Sequence, residues 1–325
     1  MRSARSRVLA AVSFATLAWA ASAQAESPNV VVSIKPIHSL VASVMGDTGT
    51  PHLLVSGSDS PHTYSMRPSD AEALSQADVV FWVGDKLETF LERPIENLGD
   101  NSRAVALIDS PNMTLMDFPE HGERADHDHD EGEDHADHDE DAEEAGHGHH
   151  HSGLDPHVWL DPANARAMVA KIVTVLSEED PDNAVAYRKN GAATTARIDA
   201  LQEDIDKTLA PYREVPFFTF HESYNYFSTR FDLDAHGAIT VSPEIQPGAQ
   251  RLQEIRQQLD GFDHVCVFSE PQFPPKLVDV IAEGTKARTG TLDPLGASFE
   301  PNSDLYFKLL EANRDAFTGC FQSTM

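Results

Sequence analysis

Two runs of alternating strand-like and helix-like segments, separated by one long polar helical stretch, fix the class of fold open to this chain. "NVVVSI" (29–34) is a β-branched run of the kind that forms a buried strand, and "PIHSLVASVMG" (36–46) follows as a helix opened by Pro36 and closed by Gly46. "HLLV", "ADVVFWVG" and "RAVALI" supply three more strands; "RPSDAEALSQ", with Ser69 as its expected N-cap, and "KLETFLERPIENLG" supply the intervening helices. Beyond the stretch "PDNAVAYRKNGAATTARIDALQEDIDKTLAPYR", bounded by Pro181 and Pro211, the alternation restarts. The strands there are "PFFTF", "LDAHGAIT", "HVCVFS" and "RTGTL", and the chain closes on the helix "SDLYFKLLEANRDAF". Regular alternation predicts mostly parallel sheets covered by helices. The expected fold class is therefore α/β: two lobes joined by one long rigid helix, with any site in the cleft between them.

The expected division is a signal peptide at 1–25, a first α/β lobe at 26–180, a connecting helix at 181–211 and a second α/β lobe at 212–325. The signal-peptide reading rests on Arg2, Arg5 and Arg7, an apolar stretch too short for a membrane span, and the small-x-small pattern Ala23-Gln24-Ala25. No cysteine stands near that cleavage pattern to accept a lipid, so the expectation is an exported, unanchored, monomeric protein of a bacterial periplasm. The two cysteines, Cys266 and Cys320, are expected to pair in that oxidising space; the alternative is two buried thiols.

Of the 325 residues, 53 are acidic and 24 are Lys or Arg, a net charge of −29. Much of the excess lies in residues 120–144, where Arg124 is the sole cation. Clustered Lys and Arg, which phosphate binding needs, are absent, and nucleic acid is excluded as a partner. Residues 119–153 carry few large apolar groups and are expected to form a disordered insertion in the first lobe. They hold His121, His127, His129, His135, His138, His147, His149, His150 and His151, expected as weak auxiliary metal ligands. Imidazoles on a loose chain bind metal only at a cost in chain entropy, and the alternative is a solvated tract with no specific job.

Ligands of parallel α/β sheets sit beyond the carboxyl ends of the strands. Four side chains fall there: His62 after "HLLV", His157 after the fourth strand and the insertion, His221 directly after "PFFTF", and Asp293 directly after "RTGTL". Each alone has an ordinary reading, as a loop, turn-capping or strand-end residue. Together they form three imidazoles and one carboxylate at one cleft, a donor set for tetrahedral Zn²⁺. Asp155 and Glu222 are candidates to orient the imidazoles, and His38 is a candidate accessory group at the first strand–helix turn.

The segments "SIKPIHSLVASVMG", "PHTYSMRPSDAEAL", "DPHVWLDP", "FHESYNYF" and "GTLDPLG" together resemble the zinc-binding proteins of bacterial ABC importers, the ZnuA type, over nearly the whole mature chain. The resemblance implies a non-enzymatic protein that captures Zn²⁺ as cargo and delivers it to an inner-membrane ABC permease. It implies His62, His157 and His221 as ligands and Asp293 as the fourth in some relatives. Other relatives use a Glu just before the first histidine, where this chain has Pro61, or a water. Manganese members typically have Glu in place of His221. The family also implies a zinc-collecting or zinc-sensing role for the histidine-rich loop and allows a disulfide in the second lobe. The competing functions are a manganese or iron importer component, a periplasmic zinc buffer, and a zinc hydrolase; the HExxH motif of one hydrolase class is missing.

Overall fold

The computed structural model describes residues 27–98, 102–119, 153–240, 242–243 and 246–324. The expected signal peptide, the bulk of the insertion and all nine of its histidines lie outside the described residues.

The first lobe runs β1 (Val30–Val32), α1 (Lys35–Met45), β2 (His52–Leu53), α2 (Pro68–Ser75), β3 (Val79–Trp82), α3 (Glu92–Glu96) and β4 (Arg103–Ala106). Two long helices follow, α4 (Pro162–Glu179) and α5 (Ala184–Leu209). The second lobe runs β5 (Phe217–His221), α6 (Asn225–Phe231), β6 (Ala235–Thr240), α7 (Ala249–Asp260), β7 (Cys266–Ser269), α8 (Lys276–Ala282), β8 (Arg288–Thr291) and α9 (Leu305–Thr324). Both sheets are four-stranded and parallel, ordered β2-β1-β3-β4 and β6-β5-β7-β8. Each chain path leaves its first strand to one side and then crosses to the other, so each sheet has a switch point beyond its two central strands.

Local chemistry trims three expected elements. Ser69 lies inside α2 rather than capping it: Pro68 takes the first helical turn, and the Asp70 carboxylate reaches back to accept from the Arg67 N–H at 2.8 Å. The helix expected over 86–99 shrinks to one 3₁₀ turn, Thr89–Leu91, and the short α3. The strand expected at 52–55 pairs over only two residues.

Helix α5 is polar in composition yet buries one stripe: Tyr187, Gly191, Thr194, Ile198, Leu201, Ile205 and Leu209. That spacing of three and four residues is one helix face. It packs on α4, α1 and α9. At Gly191 a Cβ would stand 2.3 Å from Val173 Cγ2, so the α4–α5 crossing requires glycine there. One apolar core is shared by both lobes and includes Trp159 beside Phe217, Tyr306 and Phe317. Cys266 of β7 and Cys320 of α9 form a disulfide with Cα atoms 6.2 Å apart, tying the last helix to the second sheet. Among the described residues, no helix is long and apolar enough to cross a membrane.

The lobes are fastened to each other by polar bonds as well. Lys35 is buried and its ammonium donates to the carbonyls of Gly296 (3.3 Å), Ala297 (2.8 Å) and Phe299 (3.1 Å), using all three of its protons. Tyr306 N donates to Ser39 Oγ, and its hydroxyl donates to the Trp159 carbonyl, both at 2.9 Å.

The switch point of the first sheet is closed by the protein itself. Glu88 is fully buried there and accepts from Ser33 Oγ (2.5 Å), Val83 N (3.1 Å) and Gly84 N (3.0 Å). Burial pushes its pKa up from 4.5 to about 7, against the hydrogen bonds that favour the anion. The folded state therefore holds a proton that the unfolded chain has released, and stability present below about pH 4.5 is lost as pH rises through about 7. Urea unfolding at several pH values should show the protein losing stability relative to Glu88→Gln across that window, by at most about 1.4 kcal/mol per pH unit. Parallel stability–pH curves for the two proteins would contradict this reading of Glu88.

Candidate metal centre

Three histidines from distant parts of the chain meet at one point. His62 lies in the turn that follows β2, where Thr63 N donates to the Ser60 carbonyl. His157 immediately precedes the 3₁₀ turn Val158–Leu160. His221 is the last residue of β5, at the switch point of the second sheet. The Nε2 atom of His157 is 3.3 Å from that of His62 and 3.3 Å from that of His221. One ligand atom of each lies within 4.8 Å of the others. His157 and His221 are buried and His62 partly so.

The segment carrying His157 lies between β4 and α4 and is bolted to the second lobe. Tyr226 of α6 donates its hydroxyl to the Asp155 carbonyl at 3.0 Å. Arg230 of α6 makes two bonds of 2.7 Å to Asp161, whose Oδ1 also caps α4 through Ala163 N. Trp159 donates its indole N–H to the Pro294 carbonyl at 2.8 Å. These bonds explain how a loop that begins far from β5 delivers an imidazole to the end of it.

Carboxylates set the orientation of two rings. Asp155 Oδ1 accepts from His157 N at 2.9 Å and lies 2.8 Å from His157 Nδ1. Glu270 Oε1 accepts from His221 N at 3.2 Å and lies 2.7 Å from His221 Nδ1. A proton on Nδ1 facing a carboxylate leaves the Nε2 lone pair free to ligate. Asp155 was legible from its place two residues before His157. The partner of His221 is Glu270 rather than the adjacent Glu222. Glu270 directly follows β7, which pairs beside β5, and the strand-end rule that found His221 would have found it too.

Burial drives His62 and His157 well below the usual histidine value, and the neighbouring imidazoles add to the effect. Burial acts on His221 in the same direction, but the charge and hydrogen bond of Glu270, with Asp155 and Glu222 beyond, outweigh it and raise its pKa. Burial pushes the Asp155 carboxyl up to about 7. Neutral imidazoles with converging lone pairs are the form that metal binding needs.

The spacing fits a small tetrahedral ion. Zn–N bonds of about 2.0–2.1 Å at tetrahedral angles put neighbouring nitrogens about 3.3 Å apart. The cavity at this point is lined by the three histidines with Ser60, Trp159, Glu270, Gln272, Phe273 and Leu295, and offers about 10 Å³ to a water-sized sphere. That is room for roughly one water.

Asp293 does not join the three histidines. Its Oδ1 accepts from Leu295 N (3.1 Å), Gly296 N (2.9 Å) and Gln272 Nε2 (3.0 Å), and its Oδ2 from Ala297 N (2.6 Å). His38 Nε2 lies 3.1 Å from the Pro51 carbonyl, and His38 is not part of the group either.

Comparison with known proteins agrees with this architecture. The family model described as "Zinc-uptake complex component A periplasmic" matches residues 30–320. The chain is 45% identical over 307 residues to the high-affinity zinc uptake system protein ZnuA of Brucella abortus (strain 2308), covering 91% of this chain and 92% of that protein. It is 36% identical over 298 residues to the Yersinia pestis protein of the same name, covering 91% and 92%. A crystal structure of ZnuA matches with a TM-score of 0.72 at 25% identity, covering 91% of this chain and 99% of the other. With the family model spanning nearly all of the described fold, this chain belongs to the ZnuA family of periplasmic zinc-uptake components.

Proposed function

We propose that this protein captures Zn²⁺ in the periplasm between the imidazoles of His62, His157 and His221 and delivers it to an inner-membrane ABC permease. The observation that carries the reading is the pair of 3.3 Å Nε2–Nε2 separations, which matches the edge of a zinc tetrahedron. Membership of a zinc-uptake family supports the same cargo, and the family's role is solute binding rather than catalysis. An all-nitrogen protein set favours Zn²⁺ over Mn²⁺, which takes oxygen donors more readily.

The division of the chain at 26–180, 181–211 and 212–325 belongs to the same proposal: each lobe brings part of the cage, and the connecting helix keeps the parts in register. The histidines of the insertion serve as weaker zinc-collecting groups. The protein acts as a monomer.

Competition against a chromophoric chelator tests the cage. Deleting residues 120–152 should leave one tight Zn²⁺ equivalent per chain. Replacing His62, His157 or His221 by Ala should each weaken that equivalent by more than the roughly 10- to 100-fold that changes outside the ligand set cost. Tight binding that survived all three substitutions would place the cargo elsewhere.

Asp155→Asn separates orientation from ligation. Asparagine can turn its amide N–H₂ toward His157 Nδ1, favouring the tautomer with the proton on Nε2. Zinc affinity should fall by about 10- to 100-fold with the fold intact. Unchanged affinity would mean that the His157–Asp155 contact serves folding alone.

A further inference from the structure

Two segments singled out in the sequence supply none of the three imidazoles, and they meet each other across the lobes: "SIKPIHS" (33–39) and "DPLGASF" (293–299). Lys35 stands at the first position of α1, just after β1, and its side chain reaches the second lobe. The loop that it meets is polarised. Its N–H groups at Leu295, Gly296 and Ala297 point to the Asp293 carboxylate. Its carbonyls at Gly296, Ala297 and Phe299 point to the Lys35 ammonium. The peptide dipoles therefore run between an anion and a cation, the same alignment that charges at helix ends exploit. Gly296 permits the turn, with a φ of 69°. The loop is also a wall of the metal cavity, which Pro294 and Leu295 line. The Pro294 carbonyl receives the indole N–H of Trp159, two residues beyond His157.

We propose that Lys35 is a positioning residue for cargo retention: through its ammonium the first lobe holds the 293–299 loop in place as a wall of the metal cavity, and parting of this contact lets the ion leave. The ammonium touches three carbonyls and no carboxylate among its hydrogen-bond partners. Asp293 and Glu300 act on it through space, against the burial that lowers its pKa. An ammonium is strongly hydrated in water, and carbonyls accept from water readily, so both sides of the contact are re-solvated when the lobes part. An apolar seam gains nothing of the kind on parting. The contact thus keeps the lobes in register without locking them, as a carrier that must release its cargo requires. Removing the ammonium alone is different, because it leaves the loop carbonyls facing an apolar neighbour and loosens the wall.

The inference rests on the three-histidine reading, and the test separates the two. Full-length protein is loaded with one equivalent of Zn²⁺, mixed with excess chromophoric chelator, and the release rate is followed. Lys35→Met keeps the stem and removes the three protons; it should release Zn²⁺ about tenfold faster than the wild-type protein. Lys35→Arg keeps the charge and the donors, and its rate should lie closer to wild type than to Lys35→Met. Leu259→Ala opens a cavity in the separate apolar cluster of the second lobe, which includes no residue of 293–299. It should lower stability and leave the release rate unchanged. A Lys35→Met rate no faster than that of Leu259→Ala would make Lys35 a folding residue alone and overturn the proposal. So would a Lys35→Arg rate equal to that of Lys35→Met. If Lys35→Met does not fold, hydrogen exchange on the wild-type protein decides: the amides of Leu295, Gly296 and Ala297 should exchange more slowly with Zn²⁺ bound than without it, and equal exchange would overturn the coupling of loop to cargo. His157→Ala is the control for the underlying reading: a release rate unchanged by it would refute the histidine cage rather than the role of Lys35.

Discussion

Three imidazoles that converge at one point, with His157 Nε2 3.3 Å from the Nε2 atoms of both His62 and His221, are the constraint around which the rest of this protein is organised. With no proton or cation between them, such lone pairs repel, and desolvation resists charging the rings. The arrangement persists only if the surroundings hold each ring. Two buried carboxylates do so for His157 and His221. The backbone behind the rings is held by the bolts from Tyr226, Arg230 and Trp159 and by the Lys35 ammonium on the loop 296–299. A divalent ion at the centre relieves the repulsion, so much of the cost of building the site is recovered when cargo binds.

The two sheets share a topology but use their switch points differently. In the first, Glu88 fills the crevice and saturates the strand-end amides of Val83 and Gly84. In the second, the crevice stays open to His221, the last residue of β5, and Glu270, which directly follows β7. The first lobe therefore contributes to the site from its loops, and the second from the sheet itself. This asymmetry explains why the histidine-bearing loops of the first lobe need so many bonds to reach across.

Much of this was legible in the sequence, and the failures share a cause. Strand ends in parallel sheets face one direction, so His62, His157 and His221 could be placed together before any coordinates. Asp155 was found because it is close in sequence to the ring it serves. Glu270 was missed in favour of Glu222 because proximity across neighbouring strands does not show in a one-dimensional reading. Asp293 was placed at the correct strand end, but the direction of a carboxylate depends on which local amides are free. Here Leu295, Gly296 and Ala297 offer theirs, a common fate for an Asp that opens a turn. The second-lobe disulfide followed from compartment and cysteine count.

Zinc K-edge X-ray absorption on the full-length protein, given less than one equivalent of Zn²⁺ so that the tightest site fills first, tests the central claim most directly. The account predicts three imidazole nitrogens at about 2.0–2.1 Å and one further light-atom ligand, with the multiple-scattering pattern of imidazole rings. A shell made up mainly of carboxylate oxygens, or one with a single imidazole, would contradict it.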